Sequence, residues 1–396
     1  MAPLNRLNAE SSTLHMEVDG MEMMRTPGSS QESAVKGTSR MALALALAGA
    51  SCVLLARFAL RKQRAISFTD KVVVIVGGSR GLGLAMARLF ATEGARVVLV
   101  ARDGAELERA ADALRAHGGA AAVRACDVRN RQQVNSTISR LADEYGTIDV
   151  LVNDAGIIEV GPFEHMTLAD FEDAMATHFW GPLSTIRAAL PYMRRRGAKR
   201  IVNIVSIGGK VAVPHLMPYC ASKFALAGLS QGLQAELASD GFAVTSVFPG
   251  LMRTGSTYQA KFKGQHRREF AWFHTASAIP VLSMDADRAA ERILDACRHG
   301  DSQLVLTSAA RALAKAAALV PGVVATSLSI ANRLLPGASA KNGRAAHSGW
   351  QSTSRLAPSP VTRLSDRAVA TNNQWQSPQS DRRADFAAPP RRVSKG

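Results

Sequence analysis

VVVIVGGSRGLG, at residues 72–83, joins a short apolar run to a glycine-rich turn. The run at 72–76 contains only valine and isoleucine, which predicts a strand buried on both faces of a parallel sheet. The turn follows at once, and helical patterning begins at residue 81. Glycines let the backbone approach a phosphate closely, and a helix N-terminus offers unpaired N–H groups and positive charge. The stretch predicts a phosphate-binding turn, although the glycines alone also suit an ordinary strand-to-helix turn.

Strand and helix patterns then alternate along the chain. Further strands are predicted at 96–100, 121–125, 150–152, 200–205, 244–248 and 303–306. Helices are predicted at 81–93, 104–117, 130–145, 167–195, 217–239 and 285–299. Such alternation is typical of an α/β domain with a doubly wound parallel sheet, here of about seven strands, whose ligands bind at the carboxyl ends of the strands.

Composition divides the chain around this single domain. Five segments are predicted: a disordered N-terminal segment at 1–40, a membrane-anchor candidate at 41–60, a dinucleotide-binding catalytic domain at 66–306, C-terminal helices at 307–336 and a disordered basic tail at 337–396. The formal net charge is +16, and from Lys341 onward ten basic residues face three acids. A solvated tail explains this excess better than an anionic membrane surface does, and nucleic acid binding is not expected.

The anchor candidate has a charge-free apolar core at 41–56, followed by four basic residues within 57–64. A membrane span usually needs about 20 residues, and snorkelling of Arg57 extends the run to Leu60. The positive-inside rule then places the catalytic domain in the cytoplasm. A cleaved signal peptide, with Ala48-Gly49-Ala50 as its cleavage site, is the alternative, and translation from Met41 is another. Without the anchor, the protein is expected to be cytoplasmic.

The four cysteines at 52, 126, 220 and 297 are widely spaced. They form no C-x-x-C pair and have no histidine spacing suited to zinc, so no metal site is predicted. We interpret them as free thiols in a reducing compartment, where nicotinamide cofactors are also available.

Tyr219 and Lys223 are four residues apart in a predicted helix, which places them on one face, and Ser206 ends the fifth strand. A free tyrosine, with a pKa of about 10, is a weak base near neutrality, but a nearby ammonium favours its phenolate. The three residues therefore predict a site in which Tyr219 exchanges a proton with a substrate oxygen that Ser206 holds.

The glycine turn and the set of Ser206, Tyr219 and Lys223 resemble motifs of the short-chain dehydrogenase/reductase family. The resemblance extends from about Lys71 to about Leu306. In that family the serine, tyrosine and lysine are catalytic, and the lysine also binds the nicotinamide ribose. The resemblance also implies a homo-oligomer. The resemblance and the glycine turn together predict the following cofactor-binding residues: Gly77, Ser79, Arg80, Gly81, Leu82, Gly83, Arg102, Asp127, Val128, Asn153, Ala155, Gly156, Tyr219, Lys223, Pro249, Gly250 and Thr254.

Three residues depart from the family pattern. Residues 153–156 match the family motif Asn-Asn-Ala-Gly, except that Asp154 replaces the second Asn. At the end of the first strand, Val76 replaces a Thr that is common in the family. His178 stands where an Asn supports a water relay to the lysine. Because imidazole also carries protons, we hypothesise that His178 acts in that relay, with simple packing in the helix as an equal alternative.

Cofactor and substrate preferences follow from charge and apolarity. Arg80 and Arg102 favour NADP(H) over NAD(H), because arginine accommodates the adenosine 2′-phosphate. The insertion at 255–283 carries eight apolar or aromatic residues, which predicts a small apolar carbonyl or alcohol substrate: Tyr258, Phe262, Phe270, Trp272, Phe273, Ile279, Val281 and Leu282. The sequence thus predicts hydride transfer between carbonyl and alcohol, with a non-catalytic NADP-binding sensor or membrane scaffold as the alternative.

Overall fold

The structure is a computed structural model, and part of the chain is described here. The described residues are 48–49, 51–52, 55–56, 58–195, 197–338 and 343–374. Two units are distinguished, Met1–Ala59 and Leu60–Gly396. The described residues of the first unit are helical. The predictions for residues 1–40, and most of the anchor candidate at 41–60, concern residues outside the described ones. Among the described residues, no helix is both long and apolar enough to cross a membrane.

The second unit contains a parallel sheet of seven strands: β1 (Val72–Val76), β2 (Arg96–Ala101), β3 (Ala121–Ala125), β4 (Val150–Asn153), β6 (Arg200–Ile204), β7 (Ala243–Phe248) and β11 (Gln303–Val305). Their order in the sheet is β3-β2-β1-β4-β6-β7-β11. All five residues of β1 are buried, as expected for a central strand. The predicted doubly wound α/β fold is confirmed.

Helices cover both faces of this sheet. The α-helices among the described residues of this unit are α1 (Gly81–Thr92), α2 (Gly104–Arg115), α3 (Arg131–Tyr145), α4 (Leu168–Met175), α5 (Gly181–Arg195), α6 (Met217–Glu236), α7 (His266–Ala278), α8 (Ala286–His299), α9 (Ser308–Leu319), α10 (Pro321–Asn332) and α11 (Arg363–Thr371). One apolar core lies under α1, α2 and α8, and another lies under α3 and α5. The strand order reverses between β1 and β4, which is where ligands bind in open α/β sheets.

Short strands build the region beside this crevice. They are β5 (Glu159–Val160), β8 (Leu251–Arg253), β9 (Lys261–Phe262), β10 (Ser283–Asp285) and β12 (His347–Ser348). β8 pairs with β10, while β5, β9 and β12 form a small sheet. This sheet therefore joins the loop after β4, the 255–283 insertion and the C-terminal tail.

The C-terminal tail departs from its prediction, because residues 343–374 fold against the domain instead of remaining disordered. β12 pairs with β9, and Trp350 packs on Tyr258 with ring centroids 4.5 Å apart. Val369 of α11 is buried and contacts Gly255. The tail is held by a few isolated contacts and has no periodic apolar face. The periodicity of the sequence therefore gave no sign that this segment folds. Residues 375–396 lie outside the described part.

Helices α9 and α10 occupy the region predicted to be helical at 307–336. Only Ala310 is buried in α9, and no described residue of α10 is buried. Leu319, Val323 and Ile330 are all exposed.

Candidate active site

A cleft of about 1040 Å³ opens at the carboxyl ends of β1, β4, β6 and β7. Sixteen of the predicted site residues line it: Gly77, Ser79, Arg80, Gly81, Leu82, Arg102, Asp127, Val128, Ala155, Gly156, Ser206, Tyr219, Lys223, Pro249, Gly250 and Thr254. The other two, Gly83 and Asn153, lie behind its wall. The predicted cofactor and catalytic residues are thus brought to one place.

Two glycines of the turn are required by close backbone approach. Gly77 has φ +94°, and a Cβ atom there would lie 2.5 Å from the amide nitrogen of Ala155. A Cβ on Gly83 would lie 2.2 Å from the carbonyl oxygen of Gly77. The turn therefore stays narrow, and the N-terminus of α1 faces the cleft. A helix N-terminus and a bare backbone at this point suit the pyrophosphate of a dinucleotide.

Behind the turn, Glu106 in the first turn of α2 organises the neighbouring polar side chains. It accepts a hydrogen bond from Ser79 Oγ at 2.9 Å and pairs with Arg80 at 3.2 Å. Arg80 is thus partly neutralised by a buried carboxylate. Arg102, at the end of β2, is exposed and forms no ion pair with another described residue. Of these two arginines, Arg102 is therefore the one whose charge remains available to an anionic ligand.

Asp127 lines the cleft, whereas Asn153 is buried beneath it. Asp127 is held by Arg129 at 2.7 Å, and that hydrogen bond lowers the pKa of the carboxyl. Asn153 donates to Asn203 at 2.9 Å and accepts from Thr185 at 2.7 Å, below the cleft. Asn153 therefore fixes β4 against β6 and α5 instead of facing a ligand.

Helix α6 presents Tyr219 and Lys223 on one face, towards Ser206 at the end of β6. Lys223 is buried, and its Nζ donates to the carbonyl oxygen of Ile204 at 2.8 Å. The same Nζ lies 5.7 Å from the centroid of the Tyr219 ring. The four-residue spacing thus places an ammonium beside the phenol, as the sequence predicts.

Burial controls the proton affinity of these groups. Desolvation raises the pKa of Tyr219 to about 12, although its hydrogen bond with Ser206 opposes the shift. The phenol therefore stays protonated near neutrality and can donate a proton. Desolvation also lowers the pKa of Lys223 to about 8, while the negative charge of Asp154 raises it.

Asp154, the residue that departs from the family motif, is coupled to this lysine. Desolvation raises the pKa of Asp154 to about 7, and Lys223 together with the amide of Gly83 opposes that rise. Its backbone N–H donates to the carbonyl oxygen of Val76 at 2.8 Å. A carboxyl group therefore links the glycine turn electrostatically to Lys223, which an asparagine could not do.

His178 lies in a π-helical turn, Ala176–Trp180, between α4 and α5. Its Nε2 accepts from the Ile157 amide at 3.1 Å, so Nδ1 carries the proton and donates to Ser222 Oγ at 2.8 Å. Desolvation, with the charge of Lys223, lowers its pKa well below the ordinary value. The ring is neutral and both nitrogens are engaged, an arrangement that offers no support for the relay hypothesis and fits a positioning role.

The apolar residues of the 255–283 insertion differ in what they face. Trp272, Phe273 and Leu282 line the cleft, whereas Tyr258, Phe262 and Phe270 are fully buried in the core that Phe273 shares and against which Trp272 packs. Trp272 is oriented by a hydrogen bond from Nε1 to Glu269 at 2.7 Å, and Glu269 also contacts His215 at 2.9 Å. Only part of the predicted aromatic lid therefore faces a ligand.

Sequence reasoning missed two parts of the site. Glu106 lies three residues after the N-cap of α2. Its position at the start of that helix is the sequence signal that could have suggested a contact with the glycine turn. The second part is Gln374, which lines the cleft from the tail. No sequence signal pointed to it, because it reaches the cleft only after the tail has folded back.

Comparison with known proteins agrees with this geometry. The family model for short chain dehydrogenase matches residues 71–263. Ketoacyl reductase HetN from a Nostoc species is 37% identical over 196 residues, which are 49% of this chain and 68% of the relative. Dehydrogenase/reductase SDR family member 7B from Danio rerio is 34% identical over 50% of this chain and 67% of the relative. D-threitol dehydrogenase from Mycolicibacterium smegmatis is 34% identical over 48% of this chain and 73% of the relative.

Solved structures agree as well. A short-chain dehydrogenase from Streptomyces avermitilis has a TM-score of 0.58 and 29% identity, over 68% of this chain and 99% of that one. A metagenomic short-chain oxidoreductase in complex with NADP has a TM-score of 0.50 and 29% identity, over 61% of this chain and 99% of that one. The chain therefore belongs to the short-chain dehydrogenase/reductase family. The protein is an NAD(P)-dependent oxidoreductase.

Proposed function

We propose that the protein is an NADP(H)-dependent reductase that converts a small apolar aldehyde or ketone into an alcohol. The observation that carries the proposal is the convergence of Ser206, Tyr219 and Lys223 on the cleft that also contains the glycine turn. Each residue alone is common in proteins. A nucleotide-binding turn and a proton donor in one cleft together are what hydride transfer to a carbonyl requires.

The chain's own residues supply binding, orientation and a proton. Bound in the cleft, the cofactor would supply the hydride. Ser206 Oγ donates a hydrogen bond to the carbonyl oxygen, and the Tyr219 phenol gives that oxygen its proton. The nearby Lys223 ammonium stabilises the resulting phenolate until a solvent proton restores it. The raised pKa of Tyr219, about 12, favours this direction, because the phenol begins the reaction protonated.

Preference for NADP(H) rests on Arg102. It lies at the tip of β2, where an acid would instead favour the ribose hydroxyls of NAD(H). Arg80 contributes less than the sequence suggests, because Glu106 already pairs with it. A metagenomic short-chain oxidoreductase of similar fold was solved with NADP, which supports the same preference.

An apolar substrate is favoured by Trp272, Phe273 and Leu282, together with Val213 and Leu216, which also line the cleft. Relatives named as ketoacyl reductases support reduction of a carbonyl, whereas one named as a threitol dehydrogenase acts on a polyol. The apolar wall of this cleft favours the first kind of substrate.

The test is NADPH and NADH oxidation by the full chain with apolar aldehydes and ketones of increasing length. We expect turnover with NADPH that rises with chain length and is lost in Tyr219→Phe. Better turnover of short hydrophilic carbonyls would contradict the apolar substrate. Tight NADPH binding without turnover on any compound would favour the non-catalytic sensor or scaffold.

A further inference from the structure

The end of the folded tail lies directly on the glycine turn. The carbonyl oxygen of Asn372 accepts from the Gly81 amide at 2.9 Å. The side chain of Asn373 donates to the carbonyl oxygens of Ser79 at 2.8 Å and Glu106 at 3.1 Å. Backbone atoms of the turn are thus bound by a segment nearly 300 positions away in sequence, since Asn373 and Ser79 are 294 residues apart.

The tail is held there by a polar network around Asp366 in α11. This carboxylate accepts from Tyr258 Oη at 2.7 Å and from Thr362 Oγ1 at 2.8 Å, and it contacts His274 Nε2 at 2.9 Å. Two of these partners belong to the 255–283 insertion that borders the cleft. The position of the last turn of the tail is therefore specified by directed contacts and not by apolar packing alone.

Gln374 projects from this segment into the cleft. Its side chain is buried, with 1% of the residue exposed, and its backbone carbonyl accepts from Gln259 Nε2 at 3.0 Å. A Cβ atom added to Gly81 would lie 3.0 Å from Gln374 Nε2 and 3.9 Å from Thr254 Cβ. The carboxamide thus lies beside the start of α1 and near the loop that carries Thr254.

One end of this carboxamide has no protein partner. Oε1 of Gln374 is buried without a hydrogen bond to any described residue. A buried amide oxygen that lacks a donor is unfavourable, and in native structures such a group calls for an explanation such as a missing ligand. The position beside Gly81 is also where the anionic pyrophosphate of a dinucleotide is expected, next to the helix N-terminus.

We propose that Gln374 is a cofactor-binding residue that the C-terminal tail contributes to the active site. Its amide N–H group donates to a pyrophosphate oxygen, and its carbonyl oxygen accepts from a hydroxyl of the adjoining nicotinamide ribose. This inference rests on the dinucleotide binding in the proposed function and adds a residue from outside the region that matches the family model, 71–263. The tail then encloses the bound cofactor and slows its release.

The first test is the Kd of NADPH for the full chain, measured by its fluorescence, in Gln374→Ala and Gln374→Glu. A hydrogen bond to a charged phosphate predicts about tenfold weaker binding in Gln374→Ala. Gln374→Glu should bind more weakly still, because a carboxylate repels the pyrophosphate. The matched control is Gln132→Ala on the exposed face of α3, which should leave the Kd unchanged.

A second probe separates direct contact from general damage to the site. Adenosine 2′-monophosphate lacks the pyrophosphate, so its affinity should stay within twofold of wild type in both Gln374 variants. An unchanged Kd for NADPH in Gln374→Ala overturns the inference, as does an equal loss of affinity for both ligands. Failure of the wild-type chain to bind either NADPH or NADH would instead overturn the proposed function.

Hydrogen exchange of the unmodified full chain provides a test without any variant. If Gln374 contacts the cofactor, saturating NADPH should slow amide exchange in residues 369–374 at least severalfold. If the protein binds NADPH but exchange in these residues is unchanged or faster, the cofactor does not contact the tail or displaces it. Either result would contradict the inference.

Discussion

Helix α6 and the C-terminal segment 343–374 both reach the same cleft, but they do so by different physical routes. In α6, a spacing of four residues is sufficient to place Tyr219 and Lys223 on one face. In the tail, contacts with the glycine turn depend on residues that are almost 300 positions away. Functional residues whose positions depend on local spacing can therefore be recognised from sequence. Those whose positions depend on the docking of a distant segment cannot.

Burial also differs between the two regions in its effect. In α6 it changes proton affinities, raising the pKa of Tyr219 to about 12 and lowering the pKa of Lys223 to about 8. In the tail it fixes geometry, because Asp366 and its three partners determine where Gln374 lies. We therefore propose proton transfer as the role of the first region and enclosure of the cofactor as the role of the second.

The largest expected effect tests the first region. Tyr219→Phe removes the proton donor, and we expect kcat/KM to fall on the order of 10³-fold with little change in the Kd of NADPH. The control is Tyr192→Phe on α5, whose hydroxyl donates to Ser139 away from the cleft. Substantial turnover in Tyr219→Phe would break the comparison, because α6 would then not supply the proton.

Cofactor preference provides the next largest effect. Arg102→Ser removes the exposed cation at the end of β2, and we expect kcat/KM with NADPH to fall about 50-fold while the value with NADH changes little. Arg140→Ser, at an exposed position on α3, serves as a control for general loss of positive charge. An equal fall with both cofactors would show that Arg102 does not read the 2′-phosphate.

Loss of the tail's anchor should have a smaller effect. Asp366→Asn weakens the contacts with Tyr258, Thr362 and His274, so we expect the unfolding free energy to fall by about 1–2 kcal/mol. The Kd of NADPH should rise about fivefold, and limited proteolysis should cleave the tail earlier. Asp143→Asn, exposed on α3, is the control. Unchanged proteolysis and affinity would mean that Asp366 does not hold the tail in place.

The smallest effect concerns the charge beside Lys223. The negative charge of Asp154 raises the pKa of this lysine, so Asp154→Asn should lower it below about 8. The protonated lysine assists Tyr219, so a lysine that loses its proton at a lower pH should make the alkaline decline in activity begin at a lower pH. We expect the alkaline limb of the kcat/KM profile to move down by about half a pH unit. A shift to higher pH would contradict the coupling.

Most of the fold, and the convergence of Ser206, Tyr219 and Lys223 on one cleft, could be predicted from sequence. The apolar run at 72–76 indicated a central strand, and all of its residues are buried. The prediction was less successful where one pattern suits two environments. Tyr258 and Trp272 share an aromatic insertion, yet the first is core and the second lines the cleft. The pattern of apolar residues reports burial on folding but not which cavity or core receives each side chain.

By itself, the sequence determined the strand, turn and helix that begin the domain, the alternation that builds a parallel sheet, and the face shared by Tyr219 and Lys223. These features depend on residues close together in the chain, so backbone geometry fixes them. Only the tertiary structure decided that Glu106 neutralises Arg80, that both nitrogens of His178 are engaged, and that Gln374 enters the cleft. Those outcomes depend on contacts between distant segments, whose free energies become available only when the whole domain has packed.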